Sequence, residues 1–327
     1  MISKKEKKFL ESLINKVGQK KIEKENHYPL LEKGFTTDDI MRGVEVLLSR
    51  KITMSDITKK FEHNFSKFVG SKYSLMVNSG SSANLLAAHA LINPRKKKRL
   101  KAGDKFIIPA ICWSTSLWPL IQCGLKPQFI DVNINNYCLD ENLLKKDKKV
   151  KAIMNIHILG NSPNMDKLTD FVKSNNMYLI EDTCEALGSK FKSKHLGTFG
   201  DFGTYSFYYS HQITSGEGGM IVCKTKEDYE LLHAMRAHGW DRGLRNTKKK
   251  NDFNFINSGF NLRPMDLTAA IGLSQLKRLN KMIKLRSKNR NLIINKIKSS
   301  ESWDNQFTFF NPNKNLEPSW FGLPLLV

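Results

Sequence analysis

Seven short apolar runs, separated by stretches with helical periodicity, fill the middle of this chain: Tyr73 to Val77, Phe106 to Pro109, Gln128 to Asp131, Ala152 to Ile156, Tyr178 to Glu181, Thr204 to Phe207 and Met220 to Cys223. A strand buried on both faces reads as a continuous apolar run, and parallel neighbours need a crossover long enough to hold a helix. The alternation therefore predicts an α/β fold: a mostly parallel sheet sandwiched by helices. In such a sheet ligands collect beyond the carboxyl ends of the strands, which is where the polar motifs of this chain fall.

Helical patterns flank that region. Residues from Lys4 to about Glu25 read as a charged amphipathic helix, and a second pattern sets Phe61, Phe65 and Phe68 on one face; both are expected to pack on the main body. From Met265 to about Ile297 a helix is expected that is long or broken once, leading out of the main domain. The chain ends on Trp320-Phe321-Gly322-Leu323-Pro324-Leu325-Leu326-Val327, an apolar run that reads as a strand. These features divide the chain into an N-terminal helical segment (1–30), a large domain (31–280) and the start of a smaller C-terminal α+β domain (281–327). A domain seldom ends in mid-strand, so a fragment or a truncated small domain is expected.

Length and charge bound the function. A chain of 327 residues can bury a full core. Its 53 lysines and arginines against 31 acids give a net charge of +22. The lysines are scattered, and the runs Lys96-Lys97-Lys98-Arg99 and Lys248-Lys249-Lys250 are short, so no nucleic-acid partner is expected; a positive field also suits a diphosphate-bearing substrate. The 5 cysteines (Cys112, Cys123, Cys138, Cys184 and Cys223) form no C-x-x-C pair and leave one over in any disulfide scheme, which points to a reducing compartment. With no apolar leader and no long apolar stretch, a soluble, cytoplasmic protein without a membrane partner is expected.

Four segments carry candidate chemistry. Asn78-Ser79-Gly80-Ser81-Ser82-Ala83-Asn84 follows a strand and opens a helix, so backbone N–H groups and hydroxyls converge as an anion site; a plain helix cap is the other reading. In Pro109-Ala110-Ile111-Cys112-Trp113-Ser114-Thr115 the indole of Trp113 would suit a flat ring ligand or a core position, whereas Trp118 is expected to pack. Ile180-Glu181-Asp182-Thr183-Cys184-Glu185 sets acids at the end of an apolar strand, where a buried carboxylate needs a positive partner or a capping role. Ser206-Phe207-Tyr208-Tyr209-Ser210-His211 precedes the run Gly216-Glu217-Gly218-Gly219, and the imidazole of His211 can be acid or base near neutrality.

Taken in order, these segments and Gly259-Phe260-Asn261-Leu262-Arg263 resemble the DegT/DnrJ/EryC1/StrS family of sugar aminotransferases, over most of the chain from about Leu30 to Leu279. The resemblance implies the PLP-dependent, aspartate aminotransferase-like fold type I, with pyridoxal 5′-phosphate or pyridoxamine 5′-phosphate as coenzyme. It implies that Gly80, Ser81, Ser82 and Ser206 hold the phosphate, that Trp113 stacks on the ring, that Asp182 pairs with the ring nitrogen and that Glu185 lies near the ring hydroxyl. Asn261 would reach the neighbouring subunit's coenzyme phosphate, making a homodimer with shared active sites. The family's anchoring lysine is replaced here by His211, so the coenzyme would be held without a covalent link and His211 would carry the proton.

Within the family the chain resembles the 3-dehydratases of dideoxysugar synthesis, on Asn78 to Leu86, Glu181 to Gly188 and the Ser210-His211 pair. The iron–sulfur branch needs a cysteine cluster, and the segment His238 to Arg245 has none, so no metal is expected. The iron-free branch acts on a nucleotide-linked 4-keto-6-deoxysugar, GDP-4-keto-6-deoxymannose, with L-glutamate as amino donor. Arg242 is the candidate for the nucleotide diphosphate, since a planar guanidinium fork suits phosphate oxygens; a surface arginine is the alternative. Two other outcomes stay open: an aminotransferase of the same family, and a non-catalytic protein on the same fold.

Overall fold

A computed structural model describes residues 3–18, 34–244 and 253–327. The Lys248-Lys249-Lys250 run, Arg245, and residues 19–25 of the first expected helix lie outside the described residues.

All seven apolar runs form strands of one sheet: β1 (Tyr73–Val77), β2 (Lys105–Pro109), β3 (Lys126–Ile130), β4 (Val150–Ile156), β5 (Tyr178–Asp182), β6 (Phe202–Ser206) and β7 (Gly219–Cys223). Their spatial order is β1-β7-β6-β5-β4-β2-β3. The pairs β2/β3, β2/β4, β4/β5 and β5/β6 are parallel, whereas β7 is antiparallel to both β1 and β6. Six strands thus run one way, and their carboxyl ends share one edge with the start of β7. The outer strand β3 is the least buried and carries Pro127, a residue that an edge tolerates because it lacks an N–H.

Side chains alternate across this sheet, and the alternation assigns each residue to a layer. Leu75, Val77, Phe106, Ile108, Met154, Ile180, Phe202 and Ile221 face one side, where α4 (Gly80–Ile92) lies with its alanines and leucines buried. On the other side, Met76, Tyr205, Met220 and Val222 meet Phe61 and Phe65 of α3 (Asp56–Val69). Phe61 and Phe65 are fully buried and Phe68 packs beside them, as the helical spacing predicts. The first helix, α1 (Lys4–Gly18), buries no residue completely and touches the body through bonds such as Asn15 to Thr37 at the start of α2 (Thr37–Ser49). It packs on α2 along the half-buried stripe Lys7, Leu10, Glu11 and Ile14, while Phe9, Leu13 and Val17 stay exposed.

Helix α5 (Ser114–Gln122) follows β2, α6 (Met165–Ser174) precedes β5, and α7 (Lys226–Arg236) follows β7. The expected long helix is broken once, into α8 (Asp266–Leu276) and α9 (Leu279–Lys298). The terminal apolar run is not one strand. Only Leu325–Leu326 pairs, with Thr308–Phe309, because Gly322 and Pro324 interrupt it and Ser319 to Phe321 spend their backbone groups on neighbouring loops.

Two glycines let the strand ends close over the edge. A Cβ on Gly219 would stand 2.2 Å from the Ser79 carbonyl oxygen, and one on Gly80 would stand 2.7 Å from Ser206 Cβ and 2.9 Å from Cys184 Sγ. Backbone cannot yield as a flexible side chain can. Gly219→Ala is therefore expected to lower stability by about 2–3 kcal/mol, the upper range for overpacking, as measured by urea denaturation.

Candidate active site

Several of the candidate side chains predicted from the sequence meet at that shared edge, Asp182 and Ser206 because they occupy one face of adjacent strands. Asp182 ends β5 on the face that carries Ile180, and Thr204 and Ser206 of β6 lie on the same face as Phe202. Asp182 is in register with Thr204, and Ser206 with Gly219. Helix α4 points its N-terminus at this group.

Asp182 is only 5% exposed and accepts three hydrogen bonds from neutral donors. Its Oδ2 takes Asn84 Nδ2 at 2.8 Å and Ser116 Oγ at 2.7 Å, and its Oδ1 takes the Cys184 N–H at 3.1 Å. The Thr204 hydroxyl donates to Asn84 Oδ1 at 2.6 Å, which turns the amide NH2 toward the carboxylate. Asn84, Ser116 and Thr204 were missed by sequence reasoning. The signal for Thr204 was present, two residues before Ser206 on a strand, and Asn84 lies one helical turn beyond Gly80.

The segment after β1 opens α4 with a side-chain cap. Ser79 caps α4, its Oγ accepting the Ser82 N–H at 3.0 Å and donating to Ser82 Oγ at 2.9 Å. The N–H groups of Gly80 and Ser81 sit in the first turn, where no helical carbonyl reaches them. Ser81 Oγ and Thr115 Oγ1 lie 2.9 Å apart, tying α4 to the start of α5. Trp113 caps α5 and is 70% exposed, so its indole face is open. Trp118 is 51% exposed in this chain, against the expectation that it packs, because α5 turns it away from the sheet. Ser206 Oγ accepts the Tyr208 N–H at 3.2 Å, shaping the turn that leads to His211.

His211 lies beyond β6, its N–H on the Tyr208 carbonyl at 3.1 Å. Its ring meets Phe321 with centroids 5.0 Å apart and Tyr208 at 5.9 Å, and its Nδ1 is buried without a hydrogen-bond partner. Burial pushes its pKa down to about 4; the Asp182 charge opposes this and the Arg286 charge adds to it. The imidazole is therefore neutral at physiological pH. Glu185 is pushed up by burial and by the Asp182 charge, while the Leu159 N–H at 2.8 Å on its Oε2 works the other way.

Arg242 and Asn261 do not join this group within the chain. Both are exposed; Arg242 lies over the Trp240 ring at 4.9 Å, and Asn261 Oδ1 accepts Arg263 Nε at 2.9 Å. The Asn261 segment runs close by, since the Asn78 N–H donates to the Leu262 carbonyl at 3.2 Å. Among the described residues no three His, Cys, Asp or Glu side chains gather as a metal site requires, and no helix is long and apolar enough to cross a membrane.

The neighbouring acid, Glu181, points to the opposite face of β5 and has a different task. It is fully buried, with His157 Nε2 and the Gly197 N–H on Oε2 at 2.9 Å each, and the N–H groups of Phe199 and Gly200 on Oε1 at 2.7 Å. Burial alone would push Glu181 up, but His157 and the Gly200 and Gly197 N–H groups outweigh it and hold the carboxyl below its ordinary 4.5. A depressed folded pKa contributes stability that is present above the unfolded value and lost as pH falls through the folded one. His157→Leu raises the folded pKa, so acid unfolding followed by circular dichroism should begin at a higher pH. At neutral pH the lost bond should cost about 1.5–3 kcal/mol in urea denaturation.

The chain is similar to several known proteins. The GDP-4-keto-6-deoxy-D-mannose 3-dehydratase of Escherichia coli O55:H7 is 40% identical over 315 residues, covering 92% of this chain and 79% of the relative. A solved E. coli GDP-4-keto-6-deoxy-D-mannose-3-dehydratase with bound hydrated PLP superposes with a TM-score of 0.84 at 38% identity, covering 91% of this chain and 78% of that one. A GDP-4-keto-6-deoxymannose-3-dehydratase structure with a trapped PLP-glutamate geminal diamine gives a TM-score of 0.82 at 37% identity, covering 91% and 78%. Residues 35–327 match the family model as well, and the chain belongs to the DegT/DnrJ/EryC1/StrS aminotransferase family.

Proposed function

We propose that the chain is a PLP-dependent 3-dehydratase that removes the C3 hydroxyl of GDP-4-keto-6-deoxymannose, with L-glutamate as amino donor, in dideoxysugar synthesis. The observation that carries this reading is His211: a half-buried, neutral imidazole in the slot of the family's anchoring lysine, within the electrostatic reach of Asp182. The 40% identity to an enzyme of that activity points the same way.

The residues present fit the coenzyme. A buried carboxylate held by three neutral donors lacks a counter-charge, and a protonated ring nitrogen would supply it to Asp182. The first-turn N–H groups of Gly80 and Ser81, with the hydroxyls of Ser81, Ser82 and Ser206, offer donors to a phosphate at the positive end of α4. The exposed Trp113 indole offers a flat surface to a flat ring, and the upward-shifted Glu185 lies in the loop after β5 to meet the ring hydroxyl.

When bound, the coenzyme supplies an electron sink that makes proton removal at its C4′ and loss of the neighbouring C3 hydroxyl accessible. The chain's own residues do the rest. Asp182, aimed by Asn84 and Ser116, keeps the ring cationic. His211 takes the C4′ proton, since a neutral imidazole is the form that can accept one. With no lysine in this slot, no side chain would recapture the amino group; it would leave as ammonia, the C3 hydroxyl would leave as water, and oxidation of glutamate to 2-oxoglutarate would balance the reduction of the sugar at C3.

We infer further that the enzyme is a cytoplasmic homodimer with shared sites. Asn261 is exposed and available to the neighbouring subunit's coenzyme phosphate, and Arg242 is exposed and available to the nucleotide diphosphate. Residues 31–280 form the coenzyme-binding domain in this reading, with an N-terminal segment (1–30), helical over Lys4–Gly18, before it and 281–327 opening the small domain.

Incubation of the chain with PLP, glutamate and GDP-4-keto-6-deoxymannose should give 2-oxoglutarate, ammonia and a 3-deoxy sugar by mass spectrometry. His211→Asn should slow sugar turnover by about 10²–10⁴-fold, the span of general acid–base catalysis. An amino sugar product would make the protein an aminotransferase. Coenzyme binding without any product would favour a non-catalytic role.

A further inference from the structure

Three consecutive residues near the end of the chain are gripped, one after another, by the elements around the candidate site. The Ser319 N–H donates to Ser189 Oγ at 2.8 Å, and its carbonyl accepts Gln212 Nε2 at 3.2 Å. The Trp320 and Phe321 carbonyls both accept Arg286 Nη1 from α9, at 3.3 and 3.1 Å. The Phe321 N–H donates to the Leu159 carbonyl at 3.2 Å. Leu159 itself has a φ of 52°, a region unfavourable for any residue with a Cβ, and gives its own N–H to Glu185. At the next position, Gly160 has a φ of 94°, and a Cβ there would stand 2.4 Å from the Ser319 carbonyl oxygen.

So many constraints on three residues fix one side chain. The Phe321 ring is set nearly edge-on to His211, with an interplanar angle of 69°. Gln212, the neighbour of His211, also bonds the Glu185 carbonyl, so the histidine turn, the loop after β5 and the terminal segment are tied at one point.

We propose that Arg286 and Phe321 are positioning residues for His211: Arg286 clamps the Trp320–Phe321 backbone beside the imidazole, and the Phe321 ring shields one side of it from water. This rests on the reading of His211 as the proton-transfer group. The groups facing His211 are Asp182 from the end of β5, Arg286 from α9, Tyr208 on its own turn and Phe321 from the terminal segment. Burial is the largest cause of its low pKa. Water admitted to the ring would solvate the imidazolium and raise that pKa toward the ordinary value of about 6.5. Loss of the Arg286 charge has the same sign.

The test is a proton NMR titration of the chain with labelled histidine, the His211 resonance being identified by its absence in His211→Asn. Phe321→Ala and Arg286→Met should each raise the His211 pKa by about one unit or more, a tenfold or larger change in proton affinity. Phe321→Leu, which keeps an apolar seal, should restore a value near that of the unaltered chain. In the sugar assay, the acid limb of the pH–rate profile should move to higher pH with the same two variants. A His211 titration unchanged in both Phe321→Ala and Arg286→Met, in chains that remain folded by circular dichroism, overturns the clamp. Because the titration needs neither coenzyme nor substrate, it judges the clamp separately from the role of His211, which the His211→Asn assay judges.

Discussion

The carboxylate of Asp182 is the constraint from which most of the candidate site follows. A charge taken out of water must be met by donors or by an opposite charge, and among the described residues it is met by three donors and no cation. To place those donors, α4 must bring Asn84 over the end of β5, α5 must bring Ser116, and β6 must bring Thr204 to hold the amide in its orientation. That convergence needs the strand ends and the α4 entry to touch, and hence Gly80 and Gly219 where a Cβ would collide with neighbouring atoms. The remaining charge deficit at Asp182 is what a cationic ring would fill.

Two adjacent acids on β5 show how strand geometry separates roles. Glu181 and Asp182 differ by one residue and therefore by one face. Glu181 is saturated by four donors and locks the loop Gly197 to Gly200 against the strand, so it has no capacity left for a ligand. Asp182 faces α4 and keeps its open electrostatic requirement.

The sheet was legible because strands buried on both faces leave continuous apolar runs, and all seven runs became strands. The donors to Asp182 were partly legible: Thr204 follows from alternation with Ser206, but Ser116 is one small residue among many at a helix start. The terminal clamp was not legible. Arg286 is one of many basic residues along α9, and nothing local marks it as the one that reaches Trp320 and Phe321. The apolar run at 320–327 read as a strand because composition does not show that Arg286, Leu159 and Gln212 claim its backbone groups. The amphipathic pattern of α1 marked a helix correctly, yet periodicity does not say what, if anything, covers its face.

A low pKa does not by itself identify His211. His195 and His233 are also pushed down to about 4, again with burial as the largest cause. What differs is the company each keeps. His195 and His233 have only lysine or arginine charges acting on them, Lys190 on the first and Arg236 and Lys59 on the second, which reinforce burial. His211 alone of the three feels an acid, Asp182, against burial and Arg286. A base has to be neutral before it takes a proton and tolerable as a cation afterwards. Burial and Arg286 meet the first requirement, and Asp182 eases the second. A proton-transfer group needs that balance, whereas a structural histidine needs only to stay neutral.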